Sequence, residues 1–194
     1  METIIILGAG GFARELYGYK SHGYFWDEEQ GDKEIFMFEE SERSIEPLTG
    51  VAILNTLGPF AGDQFILGTG QPALNKRFYE MATTLGLRPL HNGIVLTRNV
   101  VVTSNAKLGK GVVLNVGCCI SHDCVVGDFA VISPHVVLGG GTVIGECAFL
   151  GIGVVTVPGV KIGAGAIVGA GSVVTKDIPD GETWCGVPAR KMTK

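Results

Sequence analysis

The sequence lacks the features that mark several large classes of protein. No apolar run approaches the roughly 20 residues that a membrane-spanning helix needs. The first run, Thr3–Leu7, has no basic residues before it and stops at Gly8, so no secretory leader is expected. Charged residues make up only 18%, and 15 Lys and Arg stand against 19 Asp and Glu, a net charge of −4 with no basic stripe. A phosphate backbone would find little to hold, which argues against nucleic-acid binding. The five cysteines include the adjacent Cys118 and Cys119 but no CxxC, so neither a zinc ribbon nor a disulfide framework is expected. These absences point to a reduced, cytoplasmic protein whose thiols are small buried apolar groups. His22, His91, His122 and His135 supply no three-ligand zinc set, and no metal is expected.

Glycine, in contrast, is abundant, at 30 of 194 residues, beside an apolar fraction of 46%. Its distribution explains the count. From Ile94 the chain divides into sixes: IVLTRN, VVVTSN, AKLGKG, VVLNVG, CCISHD, CVVGDF, AVISPH, VVLGGG, TVIGEC, AFLGIG, VVTVPG, VKIGAG, AIVGAG, SVVTKD. Fourteen hexads run from 94 to 177 without insertion. The third place is Leu, Ile or Val in thirteen, with Thr156 the exception, and the fourth is Gly, Ser, Thr or Asn in thirteen, with Val157 the exception. A fixed period over many copies marks a solenoid, in which each unit buries its apolar side only against its neighbours. One inward aliphatic residue per short strand, followed by a small residue at a corner, gives three strands per triangular coil and between four and five coils. A sandwich of short strands would not need a strict count of six.

Ahead of the repeats the pattern is α/β. Thr3–Leu7 is a short β-branched strand, and GAGGFAR follows at Gly8–Arg14, leading into a helix to about Lys20. A second strand is expected to end at Phe25 and Trp26, and a third at Phe65–Leu67, before the turn GTG. Pro72 starts a helix whose apolar face is Leu74, Phe78, Met81 or Ala82, and Leu85, with Gly86 as its stop. Residues 28–62 give few landmarks. The turn G-x-G-x-x-A between a strand and a helix lets backbone N–H groups and a helix N-terminus approach a diphosphate. Asp27, nineteen residues after Gly8, stands where a ribose-binding carboxylate would serve a dinucleotide. About ninety residues is short for a complete dinucleotide domain, which favours the nucleotide of a sugar nucleotide over NAD.

His122 and Asp123 hold the fifth and sixth places of their hexad, outside the coil at a corner. An imidazole there has no packing duty and can act as a general base near neutral pH, with Asp123 fixing its tautomer. His135 follows thirteen residues later, not a multiple of eighteen, so the two do not stack within one chain.

The initial strand with GAGG, FILGTG before a helix, the run GVVLNVGCCISHDCVVGDF and the closing GVPARKM together carry a resemblance. In these the chain resembles the hexapeptide-repeat acyltransferases, and among them the bacterial nucleotide-sugar acetyltransferases of the PglD/NeuD type. The resemblance implies an α/β half-Rossmann-like domain for a nucleotide sugar at 1–90. A left-handed parallel β-helix with a C-terminal tail would follow at 91–194. It implies a homotrimer with active sites between subunits, and outward apolar residues such as Val125 and Val136 suit one. It further implies acetyl transfer from acetyl-CoA to the amino group of a UDP-, GDP- or dTDP-linked amino-deoxy sugar, in surface glycan biosynthesis. His122 would be the general base, with Asp123 and Asn115 beside the reaction. Gly140, Ile152 and Ala170 would contact acetyl-CoA, with Pro188 and Arg190 at its adenine and phosphate end. Gly8, Gly10 and Gly11 would take the sugar-nucleotide diphosphate, with Asp27 nearby. Two positions depart from the family: Val131 replaces a second histidine that contacts the acetyl group, and Phe12 stands where close relatives often carry His. O-acetylation of a sialic acid-like sugar, or a non-catalytic sugar-nucleotide-binding homologue, are the alternatives.

Overall fold

The computed structural model describes residues 3–8, 13, 34–38, 52–54 and 58–193. The chain divides into two compact units, one of residues 1–70 and 74–93, the other of 71–73 and 94–194.

The first unit is built on a parallel sheet. Its strands are β1 (Thr3–Leu7), β2 (Glu34–Phe38), β3 (Ala52–Leu54), β4 (Gln64–Leu67) and β5 (Arg88–Pro89). They lie in the order β3-β2-β1-β4-β5, every pair parallel. Ile4 to Leu7 and Phe65 to Leu67 are all at most 1% exposed. Burial on both faces is why these strands are continuous apolar runs rather than alternating ones. The strand order reverses between β1 and β4, the position at which parallel sheets open a crevice beyond their carboxyl ends. Here the chain is tight. At Gly8, φ is +122°, and a Cβ there would lie 3.0 Å from both Gly68 O and Thr69 Cγ2.

Helix α1 (Pro72–Thr84) follows β4. It ends in a Schellman motif, with Leu87 N–H donating to Ala82 O (3.0 Å) and Gly86 N–H to Thr83 O (3.1 Å). Phe78 and Ala82 are buried as expected, but Asn75 joins them, and Leu85 is 41% exposed. Asn75 turns inward because its amide ties down the turn after β4. Its Nδ2 donates to Thr69 O (3.0 Å), and its Oδ1 accepts from Thr69 Oγ1 (2.8 Å). Strands β2 and β3 fall within residues 28–62, where few landmarks were legible. The strand expected at Phe25 and Trp26 lies outside the described residues. So does the helix expected after GAGG, except for the helical Ala13.

The second unit is the solenoid that the six-residue period predicts. Fourteen two-residue strands, β6 (Val95–Leu96) through β19 (Val173–Val174), recur every six residues. Each pairs in parallel with strands eighteen residues away, as Cys119 does with Val101 and Val137. Three sheets result. The first face holds β7, β10, β13, β16 and β19, and the second holds β8, β11, β14 and β17. The third holds β6, β9, β12, β15 and β18, extended by β20 (Thr183–Gly186) and the antiparallel β21 (Ala189–Lys191).

From Val112 onward two residues of each hexad lie in the core, not one, whereas at the start of the solenoid Leu96 and Val102 are 42% and 39% exposed. The first place joins the third in the core, as Val112, Cys118, Cys124, Ala130 and Val136 show, each 0% exposed. Val136 is therefore a core residue and cannot serve an outer surface; its neighbour Val137, 39% exposed, takes the outward place. Every sixth residue from Asn99 to Gly171 has φ between +54° and +70° or, at Gly159, +75°. That corner conformation is the physical demand behind the glycines, and Asn, Asp and His are the other residues that tolerate it best.

The inward Thr156 has its own reason. At this level Gly139 N–H donates to the Thr156 hydroxyl (2.9 Å), and Thr142 Oγ1 lies 2.9 Å from the same oxygen. Thr142 Oγ1 also reaches Gly139 O (2.6 Å). A polar side chain thus stands in for a ladder acceptor. No helix among the described residues is long and apolar enough to cross a membrane.

Candidate active site at a corner of the solenoid

The three faces meet at three edges. One edge, between the first and second faces, carries Ser121, His122 and Asp123, with Gly139 to Gly141 on the next coil. Another, between the third and first faces, carries Asn115 to Gly117, Ser133 to His135, Ile152 and Ala170. The first face lies between these two edges.

At the first edge His122 Nδ1 is 2.8 Å from Asp123 Oδ2, both side chains being more than half exposed at 66% and 58%. Asp123 sits in the left-handed region at φ +59°, which swings its carboxylate back onto the ring of the preceding residue. Its other oxygen accepts from Asn105 Nδ2 at 3.2 Å. The hydrogen bond from His122 and then that from Asn105 hold the Asp123 carboxyl below the usual carboxylate range. An ionised Asp123 fixes the proton of a neutral imidazole on Nδ1 and leaves Nε2 with its lone pair. Sequence reading missed Asn105, although it lies eighteen residues before Asp123 and so stacks directly beneath it.

Gly140 completes the arrangement from the coil above. A Cβ at Gly140 would lie 2.5 Å from both Cε1 and Nε2 of His122. The imidazole occupies the space that any other residue would fill. Asn105, Ala106, Lys107, Asp123 and Val125 line a shallow groove beside the pair.

Asn115 is elsewhere. It is 8% exposed, at the other edge, with Nδ2 donating to Ile132 O at 3.3 Å. Ile152 (58% exposed) and Ala170 stand on that same edge, directed to solvent. Hence one chain places His122, Asp123 and Gly140 at one edge, and Asn115, Ile152 and Ala170 at the other. Val131 is 1% exposed and offers nothing to a ligand at either edge. Pro188 and Arg190 are exposed in the C-terminal hairpin, where Arg190 Nη1 donates to Ala189 O (2.8 Å). Gly8 is buried beside the turn after β4. Gly10, Gly11, Phe12 and Asp27 lie outside the described residues. Among the described residues no cluster of three or more His, Cys, Asp or Glu could hold a metal ion.

Comparison with known proteins is consistent in direction. Residues 141–176 match the family model of the bacterial transferase hexapeptide (six repeats). No curated protein matches the chain in sequence. Solved structures match over its whole length. A histidine-to-asparagine variant of perosamine N-acetyltransferase from Caulobacter crescentus, in complex with CoA and GDP-perosamine, is 25% identical with a TM-score of 0.80, covering 100% of this chain and 98% of that one. The acetyltransferase domain of PglB from Neisseria gonorrhoeae, in complex with acetyl coenzyme A, shares the fold at 24% identity and a TM-score of 0.80, covering 98% and 99%. WeeI from Acinetobacter baumannii does so at 24% identity and 0.83, covering 99% and 100%.

Proposed function

We propose that the protein is an acetyl-CoA-dependent N-acetyltransferase acting on a nucleotide-linked amino sugar, with His122 as general base. The observation that carries this reading is the exposed His122 ring, oriented by the Asp123 carboxylate and seated over Gly140. Full-length similarity to an N-acetyltransferase bound to CoA and GDP-perosamine supports the substrate classes. In the reaction the amine nitrogen attacks the thioester carbonyl carbon while His122 Nε2 takes its proton. Collapse of the tetrahedral intermediate breaks the C–S bond, and the proton passes to the departing CoA thiolate. The products are an amide and CoA.

The solenoid is read as left-handed and the first unit as Rossmann-like, in line with the likeness of fold. The sugar nucleotide's diphosphate is assigned to the crevice between β1 and β4 at Gly8; Gly10, Gly11 and Asp27 keep the substrate-binding roles that the resemblance gives them. Acetyl-CoA is assigned to the edge of Ile152 and Ala170, its adenine end at Pro188 and Arg190. The exposed edge at Ile152 fits such an extended chain: beside it, a Cβ at Gly153 would meet nothing within 4 Å.

A second and third copy of the chain complete the site. The outward residues of the first face are Val101, Cys119, Val137, Val155 and Val173, with no charge among them. Val101, Val137 and Val155 are 50%, 39% and 40% exposed. This apolar strip separates the two half-sites of one chain. A cyclic trimer that covers it sets the His122 edge of one subunit against the Asn115 and Ile152 edge of the next.

The reading is tested by CoA-thiol release from acetyl-CoA with UDP-, GDP- and dTDP-linked amino sugars and their hydroxyl counterparts. Release with one amino sugar, lost in His122→Ala, is the expected result. Release only with a hydroxyl sugar would replace N- by O-acetylation, and binding of a sugar nucleotide without any release would make the protein a binder.

A further inference from the structure

We propose that His135 of the neighbouring subunit enters the same site and donates a hydrogen bond from Nε2 to the thioester carbonyl oxygen of acetyl-CoA. This rests on the trimeric reading above. His122 is not the only imidazole laid over a glycine of an adjacent coil. A Cβ at Gly117 would lie 2.5 Å from His135 Nδ1, 2.8 Å from Cε1 and 3.5 Å from Cγ. The Nδ1–Cε1 edge of the ring therefore packs down on Gly117, and the Nε2 edge faces away. His135 is exposed, and at φ +58° it holds a corner place; nine of the thirteen corner residues from Asn99 to Gly171 are glycine or asparagine, the others being Asp123, Phe129, His135 and Cys147.

Height along the solenoid brings the two rings together. Successive coils rise by about 4.8 Å, the spacing of adjacent strands. Counting residues along the coil, His135 starts about 3.5 Å above His122, and Gly117 about 1.3 Å below it. The His135 ring leans down toward Gly117, while the His122 ring leans up toward Gly140. Both rings therefore occupy one band of height. They stand on opposite edges of the first face, so they cannot meet within one chain. A cyclic trimer with its axis along the solenoid preserves heights, and it brings these two edges together at each junction.

The chemistry at that level asks for a donor. The edge of His135 continues upward through Ile152 and Ala170, the positions assigned to acetyl-CoA, so the thioester lies at its lower end, between the two imidazoles. As the amine attacks, negative charge builds on the carbonyl oxygen, and an N–H fixed in place stabilises it more than it stabilises the ground state. His122 takes the proton from the amine; His135 holds the oxygen and exchanges no proton.

The test is complementation between subunits. His135→Ala is expected to lower kcat about a hundredfold, with little change in the KM for acetyl-CoA, because the bond strengthens only in the transition state. His135→Asn suits the left-handed backbone but is too short to place its amide at the Nε2 position, and it should behave alike. An unchanged melting temperature in either variant separates this loss from misfolding. Chains carrying His122→Ala and chains carrying His135→Ala, each with a different tag, are then coexpressed and purified through both tags. A cyclic mixed trimer has one junction in which an intact His122 meets an intact His135, so about a third of the wild-type rate returns. Recovery of that size supports the proposal. Full activity of both His135 variants, or no recovery in mixed trimers, overturns it. Loss of activity in His122→Ala beside full activity in His135→Ala would leave the proposed function standing and remove only this inference. A wild-type protein inactive with every amino sugar would remove both.

Discussion

Gly140→Ala tests the site at its most sensitive contact. The new Cβ would lie 2.5 Å from His122 Cε1 and Nε2, where ordinary contact begins at 3.4 Å. Backbone cannot absorb the difference cheaply, because Gly141 N–H donates to His122 O at 2.8 Å and locks the two coils in register. The exposed ring must therefore move by about 1 Å, and a misplacement of that size costs about a hundredfold in rate. Stability should respond differently. Gly140 does not have positive φ, so alanine is acceptable to the backbone, and the replacement of glycine contributes at most about 1 kcal/mol in its favour. The expected result is a kcat for CoA release about a hundredfold down, with a melting temperature within a few degrees of wild type. The double variant with His122→Ala should be no slower than His122→Ala alone, since Gly140 acts through that ring. Wild-type kcat in Gly140→Ala, or additive losses in the double variant, would refute the reasoning. A raised KM for acetyl-CoA with kcat intact would instead make Gly140 a contact for the cofactor chain.

Other consequences are as direct. Asp123→Asn keeps the corner conformation but frees the imidazole to adopt the wrong tautomer, so kcat should fall by between about 10- and 10⁴-fold, measured by thiol release. Asp123 has a depressed pKa, so the pair is intact at neutral pH and is lost only as pH falls through a value below the ordinary 3.8. Asn105→Ala should raise that titration in a carboxyl-detected NMR experiment. Thr156→Val would restore the aliphatic pattern yet strip the acceptor from Gly139 N–H, and denaturant titration should show a loss of about 1–3 kcal/mol. Burial pushes the Cys118 thiol up to about 11, so its folded form stays protonated where an unfolded thiol ionises. Alkylation at pH 8 should spare Cys118, and the stability it contributes should be lost as pH rises from 9 toward 11.

The solenoid was legible because its period is a backbone property. One residue in six must adopt positive φ, and glycine, asparagine and aspartate advertise it. The inward role of the first hexad place was not legible, since Val136 and Val137 are the same residue type and only the direction of the strand tells them apart. His122 and Asp123 stood out as polar residues at a corner. Asn105 did not, although a search at a spacing of eighteen would have found it. The separation of Asn115 from His122 was hidden for a related reason: seven residues is close in sequence but crosses an entire face of the triangle. In the first unit, β2 was missed although Gly31 and Asp32 stand just before its apolar run, and the three residues of β3 are too few to show a period. Asn75 was not part of the expected apolar face, because what buries it is a polar partner, Thr69, in the preceding turn.

The central claim is that His122 takes a proton from a sugar amine as acetyl-CoA gives up its acetyl group. The most direct measurement is NMR of the product formed from carbonyl-labelled acetyl-CoA and the amino sugar nucleotide that supports thiol release. The account predicts a labelled amide carbon with wild-type protein and none above background with His122→Ala of unchanged melting temperature. A labelled ester, or the amide formed at the wild-type rate without His122, would contradict it.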